Sequence, residues 1–259
     1  MKRFLLVLTA GAGLLAAQPL PDRAWSILSG GLSDESAEQR TKAARALGLI
    51  ANNQKARQMA EKALSDPKPE VRAAAADSLG QMGAKASAPK LVEVIKSEKD
   101  TAVVFAAAGS LYALGDPRAY NFYYAVLTGE RKSGESLLES QTKMLKDRKA
   151  LAQMGLQAGL GFVPFGSLGY TVLKTATKDD VSPVRAAAAQ KLIRDADPDT
   201  VKALMAAAAD DKWMVRAAVL NAIAQRGDPK LLKAVEPRLA DENDTVRFTA
   251  AGAVLRLTK

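Results

Sequence analysis

Few side chains in this sequence are suited to catalysis or metal binding. The chain has no histidine and no cysteine, which excludes His-dependent triads, thiol nucleophiles and zinc sites built on His or Cys. A Ser-x-x-Lys pattern, the nucleophile motif of some hydrolases, occurs at Ser65–Lys68, Ser87–Lys90 and Ser140–Lys143 without its companion motifs. Three unaccompanied matches indicate chance. We therefore predict that the protein is not an enzyme and uses neither a metal nor a cofactor.

Two further patterns are equally weak. Glu135 and Glu139 share a helix face, but Lys143 lies one turn further on, so contacts between them in water are the simpler interpretation. Gly159 and Gly161 begin a G-x-G motif, but Pro164 stands where the third glycine belongs and no strand is predicted before it. The sequence therefore predicts no phosphate-binding loop.

The element that organises the chain is a pattern that returns six times. It consists of an acidic residue, an Arg six positions later, an alanine-rich run, and an apolar residue seven positions after the Arg. The arginine position is occupied in turn by Arg40, Arg72, Val104, Arg185, Arg216 and Arg247. Successive positions are 32, 32, 81, 31 and 31 residues apart. A period in the low thirties leaves room for two helices per unit and predicts a stacked helical solenoid.

Glycines and Asp-Pro pairs mark the ends of the predicted helices. Gly83, Gly115 and Gly227 follow the apolar residue by four positions, where a helix favours a left-handed residue. Asp116-Pro117 and Asp228-Pro229 then supply a cap and a first helical residue. We predict an all-α solenoid of about six helical hairpins with an insertion in the middle. The chain opens on a half-repeat after residue 18, carries repeats over 18–129 and 179–259, and closes on a lone first helix.

The combination of Asp, Val-Arg, an alanine run and Gly-Asp-Pro resembles the HEAT-like repeats of the phycobilisome-lyase type. The resemblance implies the fold but little about function, because such repeats occur in bilin lyases, DNA glycosylases and adaptors. It also implies a structural ladder in which each Arg meets Asp carboxylates of its own and a neighbouring unit. A row of anion-binding arginines is the alternative. The ladder residues are Asp34, Arg40, Asp66, Arg72, Asp179, Arg185, Asp210, Arg216, Asp241 and Arg247.

The N-terminus has the layout of a secretory signal peptide. Lys2 and Arg3 precede an uncharged stretch over 4–20, and Ala16-Ala17 provide small residues for cleavage. We predict a signal peptide over 1–17 and an exported protein, in the periplasm or another extracytoplasmic compartment. A retained anchor is the alternative, although about 17 apolar residues is the lower limit for a span.

The net charge of +9 bears on the choice of partner. In an exported protein, excess positive charge favours an acidic protein partner or an anionic membrane surface over nucleic acid. Charge that serves solubility alone is the other interpretation.

The interval of 81 residues indicates an insertion over 130–178. Its first part carries a basic cluster, and its second part, 150–173, has no charged residue but contains five glycines and one proline. We leave two interpretations open, an apolar hairpin packed on the solenoid and a segment that touches a partner or a membrane. Nine of the 13 aromatic residues lie between 105 and 170, and aromatic clusters are common at interfaces.

The sequence thus predicts an exported scaffold for protein–protein interaction in the cell envelope. The alternatives are a membrane-associated protein anchored through 150–173 and a lyase or glycosylase-type enzyme. The candidate partner-binding residues are Tyr120, Tyr123, Tyr124, Lys143, Lys146, Arg148, Lys149, Phe162, Phe165 and Tyr170.

Overall fold

The structure, a computed structural model, describes residues 18–128 and 181–259. Within them the chain is helical and has no strand, which confirms the all-α prediction. The α-helices are α1 Leu20–Leu32, α2 Ala37–Leu47, α3 Gln54–Ala63, α4 Pro69–Gln81, α5 Ala88–Ser97, α6 Thr101–Ala113, α7 Arg118–Thr128, α8 Ser182–Lys191, α9 Pro198–Ala207, α10 Trp213–Arg226, α11 Leu232–Val235 and α12 Asp244–Leu257. Short 3₁₀ turns cover Lys85–Ser87, Leu192–Arg194, Pro229–Leu231 and Glu236–Ala240.

The ends of the helices follow the sequence signals. Gly83, Gly115 and Gly227 have φ values of 74°, 73° and 69°, the left-handed conformation that glycine adopts without steric cost. Asp197 caps α9 by accepting a hydrogen bond from the backbone N–H of Asp199. At these positions the helices begin and end where the local residues favour it.

The helices pair into hairpins that stack through their first helices. α2 packs on α4 and α4 on α6, while α8 packs on α10 and α10 on α12. These first helices carry the alanine-rich runs, and small side chains let neighbouring helix axes approach closely. The confirmed architecture is a helical solenoid whose core is built mainly of alanine, leucine and valine.

The two unmatched helices at the ends of the chain complete one repeat. The closing helix α12 packs against both α1 and α2, in the place of a first helix. α1 thus serves as the second helix of a unit whose first helix is α12. The spatial order of the first helices is α8, α10, α12, α2, α4 and α6.

Two glycines allow this junction to close. A Cβ atom on Gly31 of α1 would lie 2.3 Å from a ring carbon of Phe248 in α12. A Cβ atom on Gly252 of α12 would lie 2.7 Å from the carbonyl oxygen of Ala46 in α2. Neither position has space for a larger residue. The helices α7 and α8, which precede and follow residues 129–180 in sequence, consequently belong to opposite ends of the described stack.

Candidate functional site

The recurring arginines join successive repeats through pairs of hydrogen bonds. Arg216 in α10 donates from Nε and Nη2 to the carboxylate of Asp241, both at 2.8 Å. Its Nη1 donates to the backbone carbonyl oxygens of Asp210 and Asp211. The side chains of Arg216 and Asp241 are 7% and 3% exposed. This pair therefore forms a buried clamp between two units.

Arg40 and Arg72 repeat this pair of hydrogen bonds to the acid, whereas Arg185 donates to its acid from Nη2. Arg40 pairs with Asp66, Arg72 with Glu98, and Arg185 with Asp210. In each case the carboxylate comes from the next unit. Arg40, Arg72 and Arg216 also donate to backbone carbonyl oxygens of their own unit. The sequence led us to expect that each Arg would contact a carboxylate of its own unit as well as one of a neighbouring unit. The structure shows backbone oxygens in place of the carboxylate of its own unit. Each of these carboxylates also accepts a hydrogen bond from the backbone N–H of the residue two positions further along the chain.

The pKa values of the ladder acids reflect this pairing. The hydrogen bond from Arg40 is the main cause of a lowered pKa for Asp66. Burial raises the pKa of Asp241, but hydrogen bonds from Arg216 and from the N–H of Asn243 outweigh it, so that pKa is also lowered. Both acids are held ionised by their partners.

The ladder changes where the chain closes and where the described stack ends. Arg247 pairs with Asp244 of its own helix, and Asp244 also accepts a hydrogen bond from Gln39. The carboxylate of Asp34, the expected partner of Arg247, accepts from the N–H of Ser36 instead. Val104 occupies the arginine position in α6, the first helix of the hairpin at one end of the described stack, and is 1% exposed. Asp179 lies outside the described residues.

A group of exposed tyrosines lies at the α6–α7 end of the stack; we call it the tyrosine surface and define it as Tyr112, Tyr120 and Tyr124. Their exposed fractions are 50%, 60% and 43%. The rings of Tyr112 and Tyr120 meet edge to face with centroids 5.5 Å apart. Tyr123, predicted with Tyr120 and Tyr124 as a partner-binding residue, is half-buried and packs with its ring against Phe122. The tyrosine surface is thus a group of aromatic side chains with large exposed fractions at this end of the described stack.

A second feature, not predicted from the sequence, is a cavity of about 410 Å³ lined by the first helices. Most of the lining residues lie eight or nine positions after the arginine position of their unit. This places them near the carboxyl-terminal ends of the first helices. Those that matter for its chemistry are Asp77, Gly80, Gln81, Ala113, Gln225 and Arg256. The cavity therefore draws on α4, α6, α10 and α12, and on the loop after α2, across the junction where the chain closes.

Among the residues that line this cavity, Asp77 has a strongly raised pKa. Burial raises its pKa to about 6, and the charge of Arg45 on α2 opposes this rise only in part. Burial also raises the pKa of Tyr123, with contributions from Tyr112 and from Asp77. The signal that could have identified Asp77 is a carboxylate within the alanine run of its repeat. The other units have no acidic residue at this position, which is occupied by Arg45, Gly109, Gln190, Asn221 and Gly252.

The remaining predicted site residues lie outside the described residues. They are Lys143, Lys146, Arg148, Lys149, Phe162, Phe165 and Tyr170, together with the proposed apolar anchor over 150–173 and the signal peptide over 1–17. Over 18–128 and 181–259, no helix combines the length and the apolar character that crossing a bilayer requires. The same residues contain no group of His, Cys, Asp and Glu side chains that could hold a metal ion.

The sequence matches the HEAT-repeat family over residues 26–112 and 171–256, about two thirds of the chain. The chain belongs to the HEAT-repeat family. This confirms the resemblance drawn from the Asp, Val-Arg and Gly-Asp-Pro pattern. The two matched regions also correspond to the two halves of the HEAT-repeat stack that meet at α12 and α1.

Solved structures of several kinds are similar to this HEAT-repeat chain. Human deoxyhypusine hydroxylase in complex with glycerol is 18% identical, with 93% of this chain and 92% of the other covered and a TM-score of 0.33. The complex of CpcE and CpcF of phycocyanin lyase from Nostoc sp. PCC7120 is 19% identical, with 98% and 100% covered and a TM-score of 0.37. An engineered protein is 17% identical, with 91% and 96% covered and a TM-score of 0.28. No curated protein matches the chain.

These similarities correct one prediction made from the sequence. The prediction that the protein is not an enzyme does not hold as drawn, because solved chains similar to this one include a hydroxylase and a lyase complex, so a HEAT-like fold gives no ground for excluding catalysis. The absence of His and Cys removes particular mechanisms but leaves carboxylates, lysines and hydroxyl groups. Neither HEAT repeats nor this composition therefore excludes catalysis.

Proposed function

We propose that this protein is an exported HEAT-repeat scaffold that binds a protein partner in the cell envelope through its tyrosine surface. The observation that carries the proposal is the exposure of Tyr112, Tyr120 and Tyr124 at one end of the stack. Tyrosine is enriched at protein interfaces because it offers a large apolar face, a polar tip and few rotatable bonds. Within residues 18–128 and 181–259, Trp213 on α10 is also exposed, but three exposed aromatic residues are grouped at the α6–α7 end alone.

Export is the second part of the proposal and is supported by the N-terminal residues. A short basic region, an uncharged stretch and Ala16-Ala17 form the pattern of a signal peptide. Cleavage after Ala17 would leave two residues before the first helical residue, Leu20. The net charge of +9 supports an acidic partner, because opposite charge speeds association and selects among partners.

A crosslinking experiment in cells tests the interaction. A photoreactive residue is placed at Tyr120 or Tyr124, and as a control at Lys62, which is exposed on α3. We expect a discrete crosslinked protein from the two tyrosine positions and none from position 62. The adduct formed from position 120 should disappear in Tyr124→Ser. An identical adduct from position 62, or none from the tyrosine positions, would contradict the proposed interface.

Fractionation of a C-terminally tagged protein tests export separately. The tagged chain should appear in an extracytoplasmic fraction with a mass reduced by removal of residues 1–17. A variant with Leu5→Arg and Leu8→Arg should keep its full length and stay in the cytoplasm, because charge disrupts the apolar segment that targeting requires. A full-length cytoplasmic protein with the native sequence would refute export without bearing on the interface.

A further inference from the structure

The cavity between the first helices contains a carboxylate without a partner among the described residues. Asp77 makes no hydrogen bond and no ion pair within 4.0 Å in residues 18–128 and 181–259, although it is partly buried. In contrast, the ladder acids Asp66, Asp210 and Asp241 each accept hydrogen bonds from an arginine. A buried carboxylate is unfavourable unless it is paired, which makes Asp77 different in kind from the ladder acids.

The cavity also carries positive charge, contributed by a different helix. Arg256 of α12 lines the same space but does not pair with Asp77, which lies on α4. Arg45 of α2 is close enough to act on the charge of Asp77 without forming an ion pair. Burial lowers the pKa of Lys259, and the nearby charge of Arg256 lowers it further. A carboxylate and the guanidinium-bearing Arg256 therefore line one space from separate helices, and the charge of Arg45 acts on the carboxylate from nearby.

We propose that this cavity binds a small molecule that carries both an amino group and a carboxylate, namely an amino acid or a short peptide. Asp77 receives the amino group, and Arg256 receives the carboxylate. Gln81 also lines the cavity, and its carboxamide provides both a donor and an acceptor. This site is independent of the tyrosine surface and of the scaffold function proposed above.

The charges of the cavity favour such a ligand over a simple amine or a simple acid. An amine alone would approach Asp77 but would be repelled by Arg45 and Arg256. A carboxylate alone would pair with Arg256 but would be repelled by ionised Asp77. A ligand with both groups compensates both ends of the cavity. Its apolar part can contact Leu49, Ala113 and Ala224, which line the same space.

The size of the cavity is consistent with this ligand class. Its volume of about 410 Å³ lies within the range of about 300–1,000 Å³ of small-molecule pockets, near the lower end. Small residues keep this space open. At Gly80, a Cβ atom would lie 2.8 Å from the Cα atom of Ser110, so the helices on this wall are already in contact.

Binding should depend on pH through Asp77. The charged group that acts on Asp77 is Arg45 on α2, and Asp77 in turn contributes to the raised pKa of Tyr123 on α7. Because burial raises the pKa of Asp77 to about 6, lowering the pH through 6 protonates it and removes its attraction for an amino group. Affinity should therefore be full at pH 8 and fall below pH 6.

The test measures binding of the standard L-amino acids and their glycyl dipeptides to the full chain, first by thermal shift and then by calorimetry. We expect at least one to bind saturably with a Kd of about 1 mM or tighter. The amine and the carboxylic acid that match the best binder in shape, each lacking one charged group, should bind at least tenfold more weakly. Absence of any binder, or equal binding of either analogue, would overturn the proposal.

Matched variants locate the site. Asp77→Asn and Arg256→Gln should each weaken binding at least tenfold, whereas the exposed controls Asp199→Asn and Arg194→Gln should not change it. Ala113→Leu, at an exposed position on the cavity wall, should block binding without removing a charge. Since it leaves both charged residues in place, this variant still decides the matter if a charge variant does not fold. Unchanged binding in folded Asp77→Asn or in Ala113→Leu would place the ligand elsewhere and refute the proposal.

Discussion

Replacing Asp77 with Asn should stabilise the protein, and the gain should depend on pH. In the folded chain burial raises the pKa of Asp77 to about 6, against an ordinary value of 3.8. The folded state therefore prefers the protonated acid, and ionisation destabilises it. This penalty is absent below about pH 4, grows between pH 4 and 6, and is complete above pH 6.

The magnitude follows from the size of the shift. One pKa unit corresponds to about 1.4 kcal/mol, so a shift of about two units corresponds to about 3 kcal/mol at most. Asp77 retains some contact with solvent at the cavity, which screens its charge and reduces the expected gain to about 1–3 kcal/mol. Asn has nearly the same shape and no charge, so it removes the penalty without creating a void.

Urea denaturation of the native chain and of Asp77→Asn at pH 4 and pH 8 measures this effect. At pH 8 the variant should unfold at a higher urea concentration, by about 0.5–1.5 M for a typical slope of about 2 kcal/mol per molar urea. At pH 4 the two midpoints should nearly coincide.

Asp66→Asn, in the same repeat, provides a control of opposite sign. The hydrogen bond from Arg40 lowers the pKa of Asp66, so its contribution to stability is present above pH 4 and is lost as the pH falls further. This variant should therefore be less stable than the native chain at pH 8. If Asp77→Asn is also destabilised at pH 8, then Asp77 has a compensating partner and the reasoning about the cavity is refuted.

Four other predictions concern the stack and the tyrosine surface. Arg216→Ala should lower the free energy of unfolding by about 3–5 kcal/mol because it leaves Asp241 buried without its partner. Arg185→Ala should cost less than about 1 kcal/mol because the side chain of Arg185 is 49% exposed, and chemical denaturation of both variants decides whether burial sets the strength of the ladder. Gly252→Val should lower the Tm by several degrees because its side chain would meet the carbonyl of Ala46, and Gly30→Ala, where a Cβ meets nothing, is the control in the same thermal melt. Phe248→Ala should expose the junction of α12 with α1 and α2 and speed amide exchange there before it does in α4 and α6. Tyr120→Ser with Tyr124→Ser should leave the Tm nearly unchanged while reducing partner binding, and an equal loss of both would count against a dedicated interface.

The repeat architecture was predictable because each unit carries its own local signals. The arginine period, the glycines at Gly83, Gly115 and Gly227, and the Asp-Pro pairs each act within a few residues, so they can be recognised without knowledge of the rest of the fold. The same is true of the ladder, since Arg72 and Glu98 belong to consecutive units. Signals that act within or between adjacent repeats are visible in the sequence.

The closure of the chain depends on a contact between its distant ends. The sequence predicts an opening half-repeat and a closing first helix, but the repeat pattern does not say that α1 and α12 form one unit. The physical reason for their contact is that each has an apolar face that its neighbours in sequence do not cover. Small residues at Gly31 and Gly252 permit the approach, but neither position stands out among the 18 glycines of the chain.

For a similar reason, some candidate site residues could be recognised in the sequence and others could not. Tyr120 and Tyr124 were identifiable because aromatic residues are rare here and cluster in one part of the chain. Asp77 is one carboxylate among 28 acidic residues, and only the structure places it in a cavity with Arg256. The two lie 179 positions apart in the sequence, and no local pattern joins them.

Closure and ligand binding should consequently depend on each other. Asp77 comes from α4, on one side of the junction between α12 and α2, and Arg256 comes from α12, on the other. A ligand held by both residues binds only while α12 is docked on α1 and α2, so it stabilises the docked state by mass action. At a concentration 100 times its Kd, such a ligand would add about 2.7 kcal/mol to the stability of the closed junction. The cavity is therefore placed to link occupancy by a small molecule to the integrity of the whole stack.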